Sequence, residues 1–114
     1  MSLNQKQVLF TKTLGEFLVW CARSGHEVIL AEAYRTPEQA AIYAKQGKGI
    51  KNSVQTKKLA ADIFQMKGGT ITWDHDDYVV LGEKWESMNE LARWGGRFKG
   101  RDSVHFSFEH NGVC

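Results

Sequence analysis

Two short segments of this chain carry residue types that can do chemistry together. Asp62 falls in the alternating run Leu59-Ala60-Ala61-Asp62-Ile63, and Asp102 stands three residues before His105 in Asp102-Ser-Val-His105. Carboxylate oxygens and an imidazole nitrogen are donors for a divalent metal such as zinc, which in hydrolases takes three protein ligands and keeps a fourth position for water. The ion polarises a carbonyl and brings the pKa of its water towards roughly 7. Asp62 and His105 lie on segments that read as strands, so their side chains share a face if the strands pair, and Asp102 is then near enough to act as general base. Taken bare, the pattern is common: Asp-x-x-His arises by chance, and an aspartate on a strand usually serves only as a hydrogen-bonding residue.

The elements that must position these residues follow from periodicity. Over residues 4–23, Phe10, Leu14, Phe17, Leu18 and Cys21 form one helical stripe, closed by Ser24-Gly25. Glu27 to Tyr34 reads as a short strand. Thr36-Pro37-Glu38-Gln39 starts a helix, with Thr36 as cap, Pro37 in the first turn and Gln39 able to close a capping box, and Gly47 stops it after Gln46. A basic loop over 47–52 follows. Leu59 to Gln65 is the next strand, with Ala60, Asp62 and Phe64 on one face. Lys67 to Thr70 is a turn, and Ile71 to Trp73 returns as a strand. Asp74 caps a helix with apolar positions at Tyr78, Leu81, Trp85, Met88 and Leu91 or Ala92; Gly82 can break it, and Trp94-Gly95-Gly96 ends it. Asp102 to Glu109 is a final strand in which Val104, Phe106 and Phe108 alternate with His105, Ser107 and Glu109. The sum is one domain, residues 1–114, of the α+β class: helices packed on one face of a small, mostly antiparallel sheet.

Size and composition agree with one ordinary globular domain: 114 residues, 42% hydrophobic and 25% charged. A net charge of +2 carries no polyanion-binding signal. Lys45, Lys48, Lys51, Lys57 and Lys58 cluster around the basic loop, and Arg93, Arg97, Lys99 and Arg101 follow later. Such patches are ordinarily solvated surface, with weak attraction to an anionic cell wall as the sharper alternative. A nucleic-acid module using this loop and exposed aromatics would need a recognised motif, and none is present. Cys21 falls on the helical stripe and reads as a small buried hydrophobe, Cys114 as a free thiol, which suits a reducing compartment. The first residues lack the pattern of a signal peptide, and no apolar run reaches the roughly 18 residues of a membrane span. The expectation is a cytoplasmic monomer with neither membrane nor nucleic acid as partner.

Several segments between Glu32 and Gly112 match a known order of motifs. They are Tyr34-Arg35-Thr36-Pro37-Glu38-Gln39; Ser53-x-Gln55-x-x-Lys58-x-Ala60-x-Asp62; Leu81-Gly82 with Trp85-Glu86-Ser87; Trp94-Gly95-Gly96-x-Phe98; and Asp102-x-x-His105-Phe106. In this order they resemble the D-Ala-D-Ala carboxypeptidase/VanY-type zinc peptidases, particularly short phage endolysin-like members that cleave peptidoglycan peptides. The second segment resembles S-x-H-x-x-[G/R/K]-x-A-x-D, whose His and Asp hold zinc. The resemblance implies Asp62 and His105 as zinc ligands, with position 55 as the third. It implies Asp102 as the general base, Arg35 as the cation for a substrate carboxylate or the oxyanion, and Ser53 as a hydrogen-bonding partner of substrate. The plainer readings are an ion pair of Arg35 with Glu32 or Glu38, a loop hydroxyl for Ser53, and core positions for Trp85, Trp94 and Phe98. Glu86 ranks well behind Asp102 as a base.

Gln55 departs from the pattern, because a neutral amide oxygen is a poorer zinc donor than imidazole. Three readings follow: a substitution that silences an active enzyme, a natural relative that binds without cutting, or completion of the site by another histidine, of which only His75 is plausible beside His26 and His110. The intact remaining motif favours the first. The function implied is that of an endolysin impaired at its metal: zinc-dependent hydrolysis of a stem-peptide amide, either L-Ala-D-Glu or near D-Ala, by a protein that waits in the host cytoplasm for a holin to release it to the wall. The alternative is an inactive relative that binds muropeptide or a protein partner.

Overall fold

The computed structural model describes residues 1–50 and 53–114, so Lys51 and Asn52 of the expected basic loop lie outside the described residues. The first helix, α1, spans Leu3–Arg23. Ser2 and Gln5 cap it reciprocally, each side chain meeting the other's backbone N–H (3.1 and 2.8 Å). It buries Phe10, Thr13, Phe17 and Cys21, while Leu14 and Leu18 pack at the flank. The second helix, α2, spans Pro37–Lys45; Thr36 Oγ accepts from the Gln39 N–H at 3.0 Å, the forward half of the expected capping box. The third, α3, spans His75–Met88 behind its cap, Asp74.

Among the described residues five strands form one antiparallel sheet: β1 (Val28–Leu30), β2 (Ala60–Lys67), β3 (Thr70–Thr72), β4 (Ala92–Trp94) and β5 (His105–Phe108). The order is β1-β2-β5-β4, and β3 also pairs with β2. The long β2 therefore organises the sheet, with Ile29 opposite Phe64, Met66 opposite Ile71 and Asp62 opposite His105. Residues paired across a sheet project to the same side. Asp62 and His105 thus share the open face with Phe64, while Ala61, Ile63 and Phe106 face the helices. Under them, Phe10, Phe17, Trp85, Phe106 and Phe108 interlock, with Phe17 edge-on to Trp85 (5.4 Å, 75°) and Phe10 edge-on to Phe108 (5.3 Å, 84°). Trp85 Nε1 donates to the Ser107 carbonyl at 3.1 Å, which satisfies its buried polar atom.

Four expectations need correction. The strand expected over Glu27–Tyr34 is regular only at Val28–Leu30, although Ala31 N to Asp62 O (2.8 Å) and Asp62 N to Glu32 O (2.7 Å) continue the pairing beyond it. The helix after Asp74 ends at Met88, and Leu91 and Ala92 are not on it. Asn89 turns extended (φ −160°), its side chain accepts from the Leu91 N–H, and Ala92–Trp94 becomes β4. Gly82 does not break that helix: a Cβ there would overlap the Trp94 ring, so the glycine is what lets α3 lie against β4. Finally, β5 begins at His105, and all four of its residues are buried. Alternation fails because the segment after β5 covers His105 and Ser107 on the open face.

Candidate active site

Asp62 and His105 are brought together by the register of β2 and β5. Asp102 joins them from the turn before β5, which is pinned from below. Trp94 Nε1 donates to the Ser103 carbonyl (2.8 Å), His75 Nδ1 meets Ser103 Oγ (2.7 Å), and the Asp102 N–H donates to the Gly95 carbonyl (2.9 Å). A Cβ at Gly95 would overlap the Asp102 carbonyl and crowd His105 Cβ, so that glycine is required by a close approach beside the site. Donor atoms of Asp62, Asp102 and His105 all lie within 4.8 Å of one another. His75, the expected reserve ligand, is instead stacked on Trp94 (5.2 Å, 19°) at the start of α3.

The protonation pattern of this cluster suits a cation. His105, 7% exposed, directs Nε2 to the Cys114 main-chain oxygen at 2.6 Å. That oxygen only accepts, so Nε2 carries a hydrogen, and in the neutral ring Nδ1 keeps its lone pair. Nδ1 faces Asp62 Oδ1 at 3.7 Å, and Oδ1 is buried without a hydrogen-bond partner among the described residues. Two electron-rich atoms facing each other in a dry setting are costly unless something positive lies between them. The donor set of two carboxylates and one imidazole therefore fits a divalent metal. Desolvation in the cleft raises the Asp102 carboxyl from its ordinary value, and the neighbouring Asp62 charge pushes the same way; His105, the Val104 N–H and Arg35 oppose it. Asp102 is exposed as a residue, at the rim, and its carboxyl reaches the cluster.

Asp102 and His105 line a cleft of about 340 Å³ with Arg35, Lys48, Ser53, Gln55, Phe98 and Cys114, and Asp62 lines an adjoining hollow with Glu32, Arg35, Tyr43 and Lys48. Gln55 is buried (2% exposed) in a 3-10 turn, Val54–Lys57, that Ser53 caps by accepting from the Gln55 N–H (3.3 Å). The Gln55 amide donates to the Glu32 carbonyl at 3.4 Å. Arg35 is ion-paired with Glu32 (2.7 Å) and lies over the Tyr43 ring (4.9 Å). The plainer readings of Arg35 and Ser53 thus describe the free protein, and both still face the cleft. Phe98 is not core but cleft wall beside His105 (5.6 Å). Trp85 and Trp94 are buried as expected, and Glu86 is engaged by Arg97 at 2.8 Å. Sequence reasoning missed Glu32, whose carbonyl holds both Asp62 and Gln55, and the covering of His105 by Cys114.

No protein-family profile and no curated protein matches the chain in sequence. Among solved structures it is similar to the Serratia marcescens L-Ala D-Glu endopeptidase ChiX, with a TM-score of 0.62 and 21% identity over 74% of this chain and 68% of that one. The two chains share a fold. At this identity the likeness concerns architecture, and it agrees with the α+β arrangement of helices on an antiparallel sheet.

Proposed function

We propose that this protein is a metal-dependent peptidoglycan peptidase of the VanY type, acting on the L-Ala-D-Glu amide of the stem peptide and weakened by Gln55. One observation carries the reading: the orphaned Asp62 Oδ1 faces the lone-pair nitrogen of His105 with Asp102 within reach. The fold shared with an L-Ala D-Glu endopeptidase favours that bond over one near D-Ala.

Asp62 and His105 would hold the ion, with Gln55 in the same cleft as the third and weakest donor. A divalent ion there, zinc by the resemblance, would supply Lewis acidity at the scissile carbonyl and acidify water. Asp102 would take up the proton of the attacking water and return it to the leaving amine, a task suited to a carboxyl whose pKa is raised by desolvation. Arg35 would bind a substrate carboxylate, for which it must share or leave Glu32. Ser53 would hydrogen-bond the substrate backbone. As an endolysin of the short type, the protein would await release from the host cytoplasm; among the described residues no helix is long and apolar enough to cross a membrane.

The second reading, a binder that does not cut, is favoured by Gln55 itself, whose neutral amide oxygen is a poorer metal donor than imidazole. Hydrolysis of an L-Ala-D-Glu-containing stem peptide by Gln55→His with zinc, lost again in Gln55→His/Asp102→Asn, supports the peptidase. Binding of that peptide without hydrolysis by any of these forms supports the binder.

A further inference from the structure

The segment after β5 doubles back on the site. His110 and Val113 exchange backbone hydrogen bonds (2.8 and 2.9 Å) around Asn111 and Gly112. The φ angles of those two residues, 51° and 79°, are the left-handed pair that a type I′ hairpin turn requires and Asn-Gly supplies. The turn is tied down on both sides. The Gly112 N–H donates to Glu109 Oε1 (2.5 Å), and Lys6 on α1 reaches the Glu109 carbonyl (3.2 Å) and His110 Nδ1 (3.0 Å). The result is that one main-chain oxygen, that of Cys114, accepts from two side chains on the same face of β5: His105 Nε2 at 2.6 Å and Ser107 Oγ at 3.0 Å. Nothing in the reaction requires a hairpin here, yet it buries the one imidazole of the cluster.

We propose that the Asn111–Gly112 hairpin is a positioning device for His105: its main-chain oxygen, steadied by Ser107, selects the Nε2–H tautomer and turns Nδ1 towards Asp62. A histidine ligand commonly donates its second N–H to such an acceptor, and removing that acceptor costs about 10–100-fold in metal affinity. Here the acceptor is main chain, so its position depends on the turn and not on a rotatable side chain. The affinity consequence rests on the metal reading above; the tautomer is a property of the protein alone.

Long-range 1H–15N correlation spectra of the 15N-labelled protein read the tautomer directly. The unaltered chain should show His105 as Nε2–H. Gly112→Val puts a β-branched residue at a left-handed φ and should open the hairpin. It is expected to give mixed His105 tautomers and roughly 10–100-fold weaker zinc binding by calorimetry. Cys114→Ser keeps the main-chain oxygen and should change neither readout. An Nδ1–H His105 in the unaltered chain overturns the proposal without any variant, so a Gly112→Val protein that failed to fold would not shield it. Retention of the original tautomer and affinity in Gly112→Val overturns it as well. If Gln55→His also takes up no zinc, the metal reading falls, and the tautomer comparison still decides the role of the hairpin.

Discussion

At position 55 a buried amide stands where the resemblance sets an imidazole, and its nitrogen is already donated to Glu32. An amide oxygen offers zinc a weaker bond than a ring nitrogen, so in the proposed site two good ligands, Asp62 and His105, would hold the ion almost alone. Asp102 makes a second claim that can be checked without metal. A carboxyl whose folded pKa lies above its unfolded value binds more protons folded than unfolded, so it costs stability once pH rises through the unfolded pKa, and the full cost is present above the folded one. Asp102→Asn should therefore melt at a higher temperature than the unaltered protein at pH 7 in chelator, with the gap closing on acidification below the ordinary carboxylate range. A lower melting temperature at pH 7 would contradict the desolvated carboxyl. Such a gain in stability with loss of activity is what a residue kept for chemistry shows on replacement.

At the scale of elements, two glycines decide how closely α3, β4 and the Asp102 turn approach. Gly82→Ala drives a methyl into the Trp94 ring, and Gly95→Ala drives one into the Asp102 carbonyl. Each should cost about 1–3 kcal/mol by urea unfolding, as overpacking in a tight site does. Gly95→Ala alone should also weaken zinc binding, because the added methyl crowds the Cβ of His105. Much of this architecture was legible in residue patterns: the stripe on α1, the Thr36-Pro37 start of α2, the Asp74 cap, and the alternation that put Asp62 and Phe64 on one face of β2. What stayed hidden depended on contacts distant in sequence. Periodicity carried the last helix through to Leu91, whereas Asn89 ends it locally. Gly82 read as a breaker because its partner, Trp94, lies on another element. The alternation read over β5 assumed one wet face, and the hairpin that covers it was signalled only by Asn111-Gly112, a dipeptide with a known turn geometry.

For the whole molecule, the fold places its chemistry on one side of the sheet and its aromatic core on the other, with β2 and β5 belonging to both. The two cysteines report this division. Burial pushes the Cys21 thiol up to about 11 within the core, while Cys114, half-buried at the cleft wall, is raised to a lesser degree. With a thiol-reactive disulfide reagent at pH 8, Cys114 should react in the native state and Cys21 only on unfolding; equal rates would mean that the core around α1 opens readily. The central claim is that Asp62, His105 and Asp102 form a metal site whose weak point is Gln55. Calorimetric zinc titration with elemental analysis, run on the unaltered chain, Gln55→His and Gln55→His/Asp62→Asn, tests it most directly. Gln55→His should bind one zinc per chain, tighter than the unaltered chain by more than the roughly 10–100-fold that outer-shell changes produce, and the double variant should lose that gain. Zinc binding that is absent from Gln55→His, or indifferent to Asp62, would contradict it.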